Sequence, residues 1–140
     1  MSLLVNRAYD IAKSAHLGQF DKAGVEYIKH PETVASFVTT DEEKAVAYLH
    51  DVIEDTQLTL SDLENKGFSK EILVAIDVLT KKKGQSYQSY LETVKKNELA
   101  RVVKLADLKH NSDLSRLKTV TAKDLARKEK YQAAIKFLST

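Results

Sequence analysis

Four side chains of the kinds that bind metal ions are spread through the chain, and together they could hold one divalent cation. Two of the four are adjacent near the end of a predicted helix, and adjacent side chains reach the same ion only with a particular local backbone geometry. A set of two imidazoles and two carboxylates suits manganese or ferrous iron, allows zinc, and suits magnesium less well. The four candidate ligands are His30, His50, Asp51 and Asp107.

Two further carboxylates, Glu54 and Asp55, each follow a candidate ligand by four residues. Side chains four residues apart on a helix lie on one face, so this acidic pair could line the same site. A bound cation would lower the pKa of a water molecule and neutralise the charge of a phosphate. A neighbouring carboxylate could then accept or donate a proton. The pattern is compatible with metal-dependent phosphate chemistry in which Glu54 or Asp55 acts as general base or acid. Taken alone, His50 and Asp51 could equally be adjacent by chance or form a hydrogen bond at the helix end.

Helices must position these side chains, because the chain has only four Gly and one Pro and no stretch of alternating apolar and polar residues. We expect an all-α fold of seven or eight helices with short connections. A capping box of Thr40 and Glu43 predicts a third helix from about Asp41 to about Ile53. Asp107 falls on a later helix that Asn97 caps. Thr121 with Asp124 is expected to cap the last helix, which spans about residues 121–138. The expected inward residues of this helix are Leu125, Tyr131, Ile135 and Leu138.

The composition limits the classes of protein that this chain could be. Its 140 residues are enough for one domain, and the absence of cysteine excludes disulfides, thiolate metal sites and cysteine nucleophiles. The net charge of +2 does not predict nucleic-acid binding, which usually shows as a clear basic surplus. Residues 1–20 hold neither a signal-peptide core nor a membrane span. We therefore expect a cytoplasmic protein that binds neither membranes nor nucleic acids, and pairing of two copies stays open.

Three segments of the chain contain these candidate residues: Tyr27–Pro31, Leu49–Thr56 and Val103–Asn111. They resemble the signature segments of the RelA/SpoT-type HD hydrolases and their small stand-alone relatives. Shorter matches extend the resemblance to about residues 8–114. It implies a single HD hydrolase domain over residues 1–140, a compact helical bundle with a C-terminal packing helix at about residues 121–138. It also implies hydrolysis of the nucleotide (p)ppGpp at its 3′-pyrophosphate, with manganese as the cofactor.

The resemblance assigns a role to each matching position. His30, His50, Asp51 and Asp107 match the family's metal ligands, and Glu54 and Asp55 match its catalytic acidic pair. Lys22 and Asn111 match positions that bind the substrate. Without the resemblance, Lys22 would be a solvated loop lysine and Asn111 could tie two helices together.

Two positions depart from the family pattern. Asp21 stands where the family usually has an arginine, and Asp113 stands where it often has a basic residue. A carboxylate in place of arginine removes a group that stacks on bases and pairs with phosphates. The substrate could therefore be another nucleotide or phosphate ester, and a non-catalytic nucleotide-binding HD module is a further alternative.

Several other polar residues near these segments are interpreted as structural. His16 and His110 are expected to be structural or solvent-facing rather than additional ligands. Lys104 is expected to extend from its helix into solvent, with its aliphatic stem along the surface. The basic run Lys81–Lys83 is expected to be an exposed connector.

Overall fold

The computed structural model describes residues 2–115 and 117–140, and these residues confirm the all-α prediction. Within those ranges the one β feature is an antiparallel bridge between Phe20 and Glu26. None of the described helices is long and apolar enough to cross a membrane. The nine helices of the described residues are α1 (Leu3–Ala15), α2 (Lys29–Ser36), α3 (Asp41–Leu49), α4 (Val52–Asp55), α5 (Leu60–Asn65), α6 (Lys70–Leu79), α7 (Tyr87–Lys96), α8 (Glu98–Asn111) and α9 (Ala122–Leu138).

Helix α3 lies at the centre of the fold and packs against α1, α2, α6 and α8. Its start is the predicted capping box, in which Thr40 accepts from the Glu43 amide and the Glu43 carboxylate accepts from the Thr40 amide. All five residues from Ala45 to Leu49 are buried. Helix α8 starts at the predicted Asn97 cap and packs against both α2 and α3. The elements that carry the candidate ligands are therefore held together by the apolar core.

The predicted third helix was wrong at its end, because α3 stops at Leu49 and a separate turn, α4, follows from Val52. The side chain of His50 turns back, and its Nδ1 bonds the Ala47 carbonyl oxygen at 2.5 Å. In a continuous helix that carbonyl would accept from the amide of Asp51. Asp51 instead has φ −103° and ψ −3°, outside the regular helical range. The break explains why the structure has one helix more than the upper number expected.

Thr121 caps the C-terminal helix α9 as predicted, but the prediction of one inward residue of this helix was wrong. Leu125 is 54% exposed. In the same turn the buried carboxylate of Asp124 closes a capping box with Thr121 and pairs with Arg127. Polar groups therefore occupy the inner side of the first turn, and apolar burial begins further along the helix.

Candidate metal centre

The four candidate ligands lie together between the centre of the bundle and its surface. One ligand atom from each residue lies within 4.8 Å of the corresponding atoms of the others. Helix α2 contributes His30, the break between α3 and α4 contributes His50 and Asp51, and α8 contributes Asp107. The Oδ1 atom of Asp107 lies 2.8 Å from Nε2 of His30 and 3.3 Å from Nε2 of His50.

Each of the two imidazoles also makes a contact through Nδ1, the ring nitrogen that faces away from the cluster. Nδ1 of His50 donates to the Ala47 carbonyl, so its Nε2 faces the cluster. Nδ1 of His30 lies 2.7 Å from Nδ1 of His110. Such outer contacts set the orientation of metal-binding imidazoles in general.

The two carboxylates are also held from outside the cluster. The Tyr27 hydroxyl donates to Oδ2 of Asp51 at 2.5 Å. Nζ of Lys104 donates to Oδ2 of Asp107 at 3.1 Å, which leaves Oδ1 of Asp107 towards the two imidazoles. Burial and the Asp51 charge raise the pKa of the Tyr27 hydroxyl far above its ordinary value, so this hydroxyl stays a donor.

The charges of the cluster favour the ionised forms of both carboxylates, although Asp107 is buried and Asp51 is half-buried. Burial alone would raise the pKa of Asp51, but His50 outweighs it and lowers that pKa to about 2. Lys104 and the two imidazoles likewise overcome the effect of burial and hold the pKa of Asp107 well below its ordinary value. Ionised carboxylates and imidazole nitrogens at one point form a donor set that fits a divalent transition-metal ion.

The prediction for Lys104 was wrong, because its side chain does not extend into solvent. It is 15% exposed, and its Nζ lies 5.3 Å from the centre of the Tyr90 ring as well as against Asp107. The pKa of Lys104 is raised, since the attraction of Asp107 exceeds the effect of burial. The three-residue spacing of Lys104 and Asp107 on one helix was a usable signal for this pair.

The acidic pair lies beside the four candidate ligands. Glu54 and Asp55 line a cavity of about 280 Å³ together with Asp51, Lys104 and other residues of the cluster. One carboxylate oxygen of Glu54 accepts from the Lys81 amide at 2.7 Å. Burial, with the charge of Asp51, raises the pKa of Asp55. The pair could therefore hold and move protons at the edge of the cluster.

A second, larger cavity of about 370 Å³ adjoins the first. Lys22 lines the second cavity, and Asn111 lines both. Nδ2 of Asn111 donates to Oδ1 of Asp107, a residue of its own helix, at 3.1 Å. Both residues of this bond belong to α8. The bond therefore differs from the alternative given above, in which Asn111 connects two helices. The apolar and aromatic side chains of the second cavity include Phe20, Leu114, Leu117 and Tyr131.

The two departures from the family pattern lie in the second cavity and also build local turns. Oδ1 of Asp21 accepts from the amides of Ala23 and Val25 at 2.9 and 3.0 Å. Oδ1 of Asp113 accepts from the amide of Ser115 at 2.9 Å. Both positions therefore place a carboxylate at the wall of a cavity that adjoins the four candidate ligands.

Other polar residues near the candidate ligands include His16 and the basic run Lys81–Lys83, both interpreted above as structural. His16 is buried and bonds Gln19 through Nδ1, which confirms a structural position. Lys81–Lys83 is exposed, and Lys82 pairs with Asp77 at 2.8 Å. Sequence reasoning missed the contact of Tyr27 with Asp51, because these residues are 24 positions apart in the chain.

Comparison with known proteins identifies close relatives for most of the chain. No protein-family model matches it. A guanosine-3′,5′-bis(diphosphate) 3′-pyrophosphohydrolase of Haemophilus influenzae is 40% identical over 72% of this chain. The bifunctional (p)ppGpp synthase/hydrolase SpoT of Escherichia coli is 34% identical over 76%, and a GTP pyrophosphokinase of Streptomyces coelicolor is 36% identical over 76%. The matched region amounts to 17%, 17% and 14% of the length of these three relatives, respectively.

A solved structure extends the likeness to nearly the whole chain. It belongs to a metazoan orthologue of SpoT that hydrolyses ppGpp, and it superposes with a TM-score of 0.76 at 25% sequence identity. The superposition covers 99% of this chain and 84% of that protein.

Proposed function

The chain is a RelA/SpoT hydrolase-like HD domain, and on this premise we propose that residues 1–140 act as a metal-dependent 3′-pyrophosphohydrolase of (p)ppGpp. The observation that carries the proposal is the convergence of His30, His50, Asp51 and Asp107 in one cluster beside two acidic side chains. Relatives named for this reaction and the ppGpp-hydrolysing metazoan orthologue support the choice of substrate.

The proposed cofactor is one divalent cation, held by His30, His50, Asp51 and Asp107. Manganese suits a set of two imidazoles and two carboxylates, as does ferrous iron, and zinc is an alternative. When bound, the cation supplies Lewis acidity, which lowers the pKa of water and neutralises phosphate charge. The outer contacts of Tyr27 and Lys104 support the assignment, because they hold the two carboxylates in place.

Glu54 and Asp55 are the proposed catalytic residues. Hydrolysis adds water across the 3′-phosphate ester, so one proton leaves the attacking water and one reaches the departing 3′-oxygen. A carboxylate at the cavity wall can take the first proton, and a protonated carboxyl can supply the second. The raised pKa of Asp55 supports its part in this exchange, since it brings proton binding closer to neutral pH. The Lys81 amide fixes the orientation of the Glu54 carboxylate.

The adjoining larger cavity is the proposed site of the nucleoside. Its aromatic and apolar side chains suit the faces of a base and a ribose, and Lys22 supplies positive charge for a phosphate. Asn111 lines both cavities, which suits a contact with the substrate at the junction between nucleoside and scissile phosphate. The proposed partner is thus a small nucleotide. The proposal assigns no role to nucleic acids or membranes, and it places the protein in the cytoplasm, which the absence of cysteine fits.

A second candidate function keeps the chemistry and changes the substrate to another nucleotide or phosphate ester. The carboxylates of Asp21 and Asp113 at the wall of the larger cavity favour it, since each repels nearby phosphates. A less anionic substrate would avoid part of that repulsion.

A turnover assay with matched substrates distinguishes these candidates. Purified protein is incubated with Mn²⁺ and ppGpp, or with a panel of other nucleotides, next to an Asp51→Ala variant. Release of pyrophosphate from ppGpp that the variant lacks is the expected result. Turnover of another panel member without turnover of ppGpp would move the assignment to the second candidate. The absence of turnover in folded, metal-loaded protein would favour a nucleotide-binding module.

A further inference from the structure

We infer that His110 is a positioning residue of the metal centre, whose Nδ1 accepts a hydrogen bond from Nδ1–H of His30. This inference rests on the metal site of the proposed function, in which His30 is a ligand. It gives a role to a histidine that lies outside the ligand cluster itself.

The relative position of the two rings identifies the contact as a hydrogen bond rather than a stack. The two Nδ1 atoms are 2.7 Å apart, the ring centres are 5.0 Å apart, and the ring planes differ by 19°. The distance between the ring centres therefore exceeds the distance between the two Nδ1 atoms by about one ring diameter. This is the largest difference between these two distances that a pair of imidazole rings can have. The two nitrogens must therefore lie on the line between the ring centres. The rings meet edge to edge in nearly one plane, the geometry of a linear N–H···N bond.

A hydrogen bond between two imidazole nitrogens needs a hydrogen on one and a lone pair on the other. Nε2 of His30 faces the cluster, 2.8 Å from Oδ1 of Asp107. If Nε2 of His30 gives its lone pair to a cation, the ring hydrogen of the neutral imidazole must lie on Nδ1. Nδ1 of His110 then has to be the acceptor, and its own ring hydrogen lies on Nε2.

The bond is expected to act on both the tautomer and the orientation of His30. An acceptor at Nδ1 favours the tautomer with a free lone pair at Nε2, and it opposes rotation of the ring away from the cluster. Loss of such an outer partner typically lowers metal affinity about 10-fold to 100-fold. The corresponding contact of His50 is made by a backbone carbonyl, so His30 is the imidazole ligand whose orientation a side-chain substitution can test.

Two substitutions at one position separate hydrogen bonding from packing. His110→Phe keeps a ring of similar size but removes the acceptor. His110→Asn removes the ring but retains an acceptor, because the Oδ1 atom of asparagine is attached to Cγ as Nδ1 is in histidine. Binding of Mn²⁺ is measured by the electron paramagnetic resonance signal of the free ion, and thermal unfolding of the metal-free forms is recorded in parallel.

The expected result is a dissociation constant for Mn²⁺ about 10-fold to 100-fold higher in His110→Phe. We expect His110→Asn to stay within about 5-fold of the original chain, since its acceptor is retained. Equal affinity of the original chain and His110→Phe would overturn the inference and leave the metal site standing. Equal losses in both variants would show that the ring matters only for packing and would also overturn it. No Mn²⁺ binding by the original chain would overturn the metal site and the inference together.

A measurement on the unsubstituted chain tests the same bond without a variant. In ¹⁵N-labelled protein loaded with Zn²⁺, which is diamagnetic, we expect a scalar coupling between Nδ1 of His30 and Nδ1 of His110. The shared hydrogen should be attached to His30. A hydrogen attached to Nδ1 of His110, or the absence of coupling with both rings assigned, would overturn the inference.

Discussion

The buried ion pair of Lys104 and Asp107 predicts that the metal-free protein loses stability when Lys104 is replaced by methionine. The substitution keeps much of the side-chain volume and removes the charge 3.1 Å from Oδ2 of Asp107. The two side chains are 15% and 7% exposed, so water screens the pair weakly. Removing one partner of a buried pair typically costs about 3–5 kcal/mol, because the other charge is left uncompensated. His30 and His50 still face Asp107, so we expect a loss near the lower limit, about 3 kcal/mol.

Differential scanning calorimetry with and without Mn²⁺ measures this effect. For a chain of this size, about 3 kcal/mol corresponds to a decrease of the melting temperature of roughly 9–15 °C. A bound cation would supply the missing positive charge, so Mn²⁺ should raise the melting temperature of Lys104→Met more than that of the original chain. The matched control is Lys82→Met, whose pair with Asp77 is about half exposed and worth about 0–1 kcal/mol.

Two outcomes would refute this reasoning about Lys104. A melting temperature for Lys104→Met as high as that of Lys82→Met would mean that Lys104 does not compensate Asp107. An equal increase with Mn²⁺ in Lys104→Met and in the original chain would mean that the cation does not replace the lysine charge.

Further substitutions test the catalytic, binding and folding assignments separately. Glu54→Gln and Asp55→Asn should each lower kcat about 10²-fold to 10⁴-fold while the dissociation constant for Mn²⁺ changes little; activity near the original level in both variants would contradict their roles. Lys22→Met should raise KM for ppGpp about 10-fold, the loss of one charge-assisted contact, and leave metal binding unchanged; an unaltered KM would place Lys22 outside the substrate contacts. Thr40→Ala should lower the free energy of unfolding by about 1 kcal/mol in denaturant titrations, because it removes the cap of α3; a loss near zero would mean that the cap does not contribute.

Local features of the structure were predictable because they depend on residues close together in the chain. The capping boxes of Thr40 and Thr121 and the Asn97 cap lie where the sequence predicts them. Each uses a side-chain oxygen that reaches an amide three residues later, so the sequence alone contains the whole motif. The cluster of candidate ligands was predictable through motif resemblance, since its four residues come from three separate parts of the chain.

Features that depend on tertiary contacts could not be predicted in the same way. The break between α3 and α4 depends on the hydrogen bond of the His50 ring to a carbonyl of its own helix. The spacing of apolar residues along the helix does not indicate whether that bond forms. Tyr27 and Asp51 are 24 positions apart, and His30 and His110 are 80 apart. The spacing of Leu125 suits an inward position on the helix. In the same turn, however, Asp124 is buried and pairs with Arg127, and Leu125 is exposed. Such contacts define the surroundings of the ligands, whereas the sequence pattern identifies the candidate ligands themselves.

We propose that the cluster and the acidic pair hydrolyse the 3′-pyrophosphate of ppGpp with a bound cation. The most direct test is product analysis after incubation of ppGpp with metal-stripped protein, with and without added Mn²⁺. We expect GDP and pyrophosphate in equal amounts with Mn²⁺, and neither product without Mn²⁺ or with Asp51→Ala. Intact ppGpp in the presence of folded, Mn²⁺-loaded protein would contradict it, and so would equal release of pyrophosphate by the metal-stripped form.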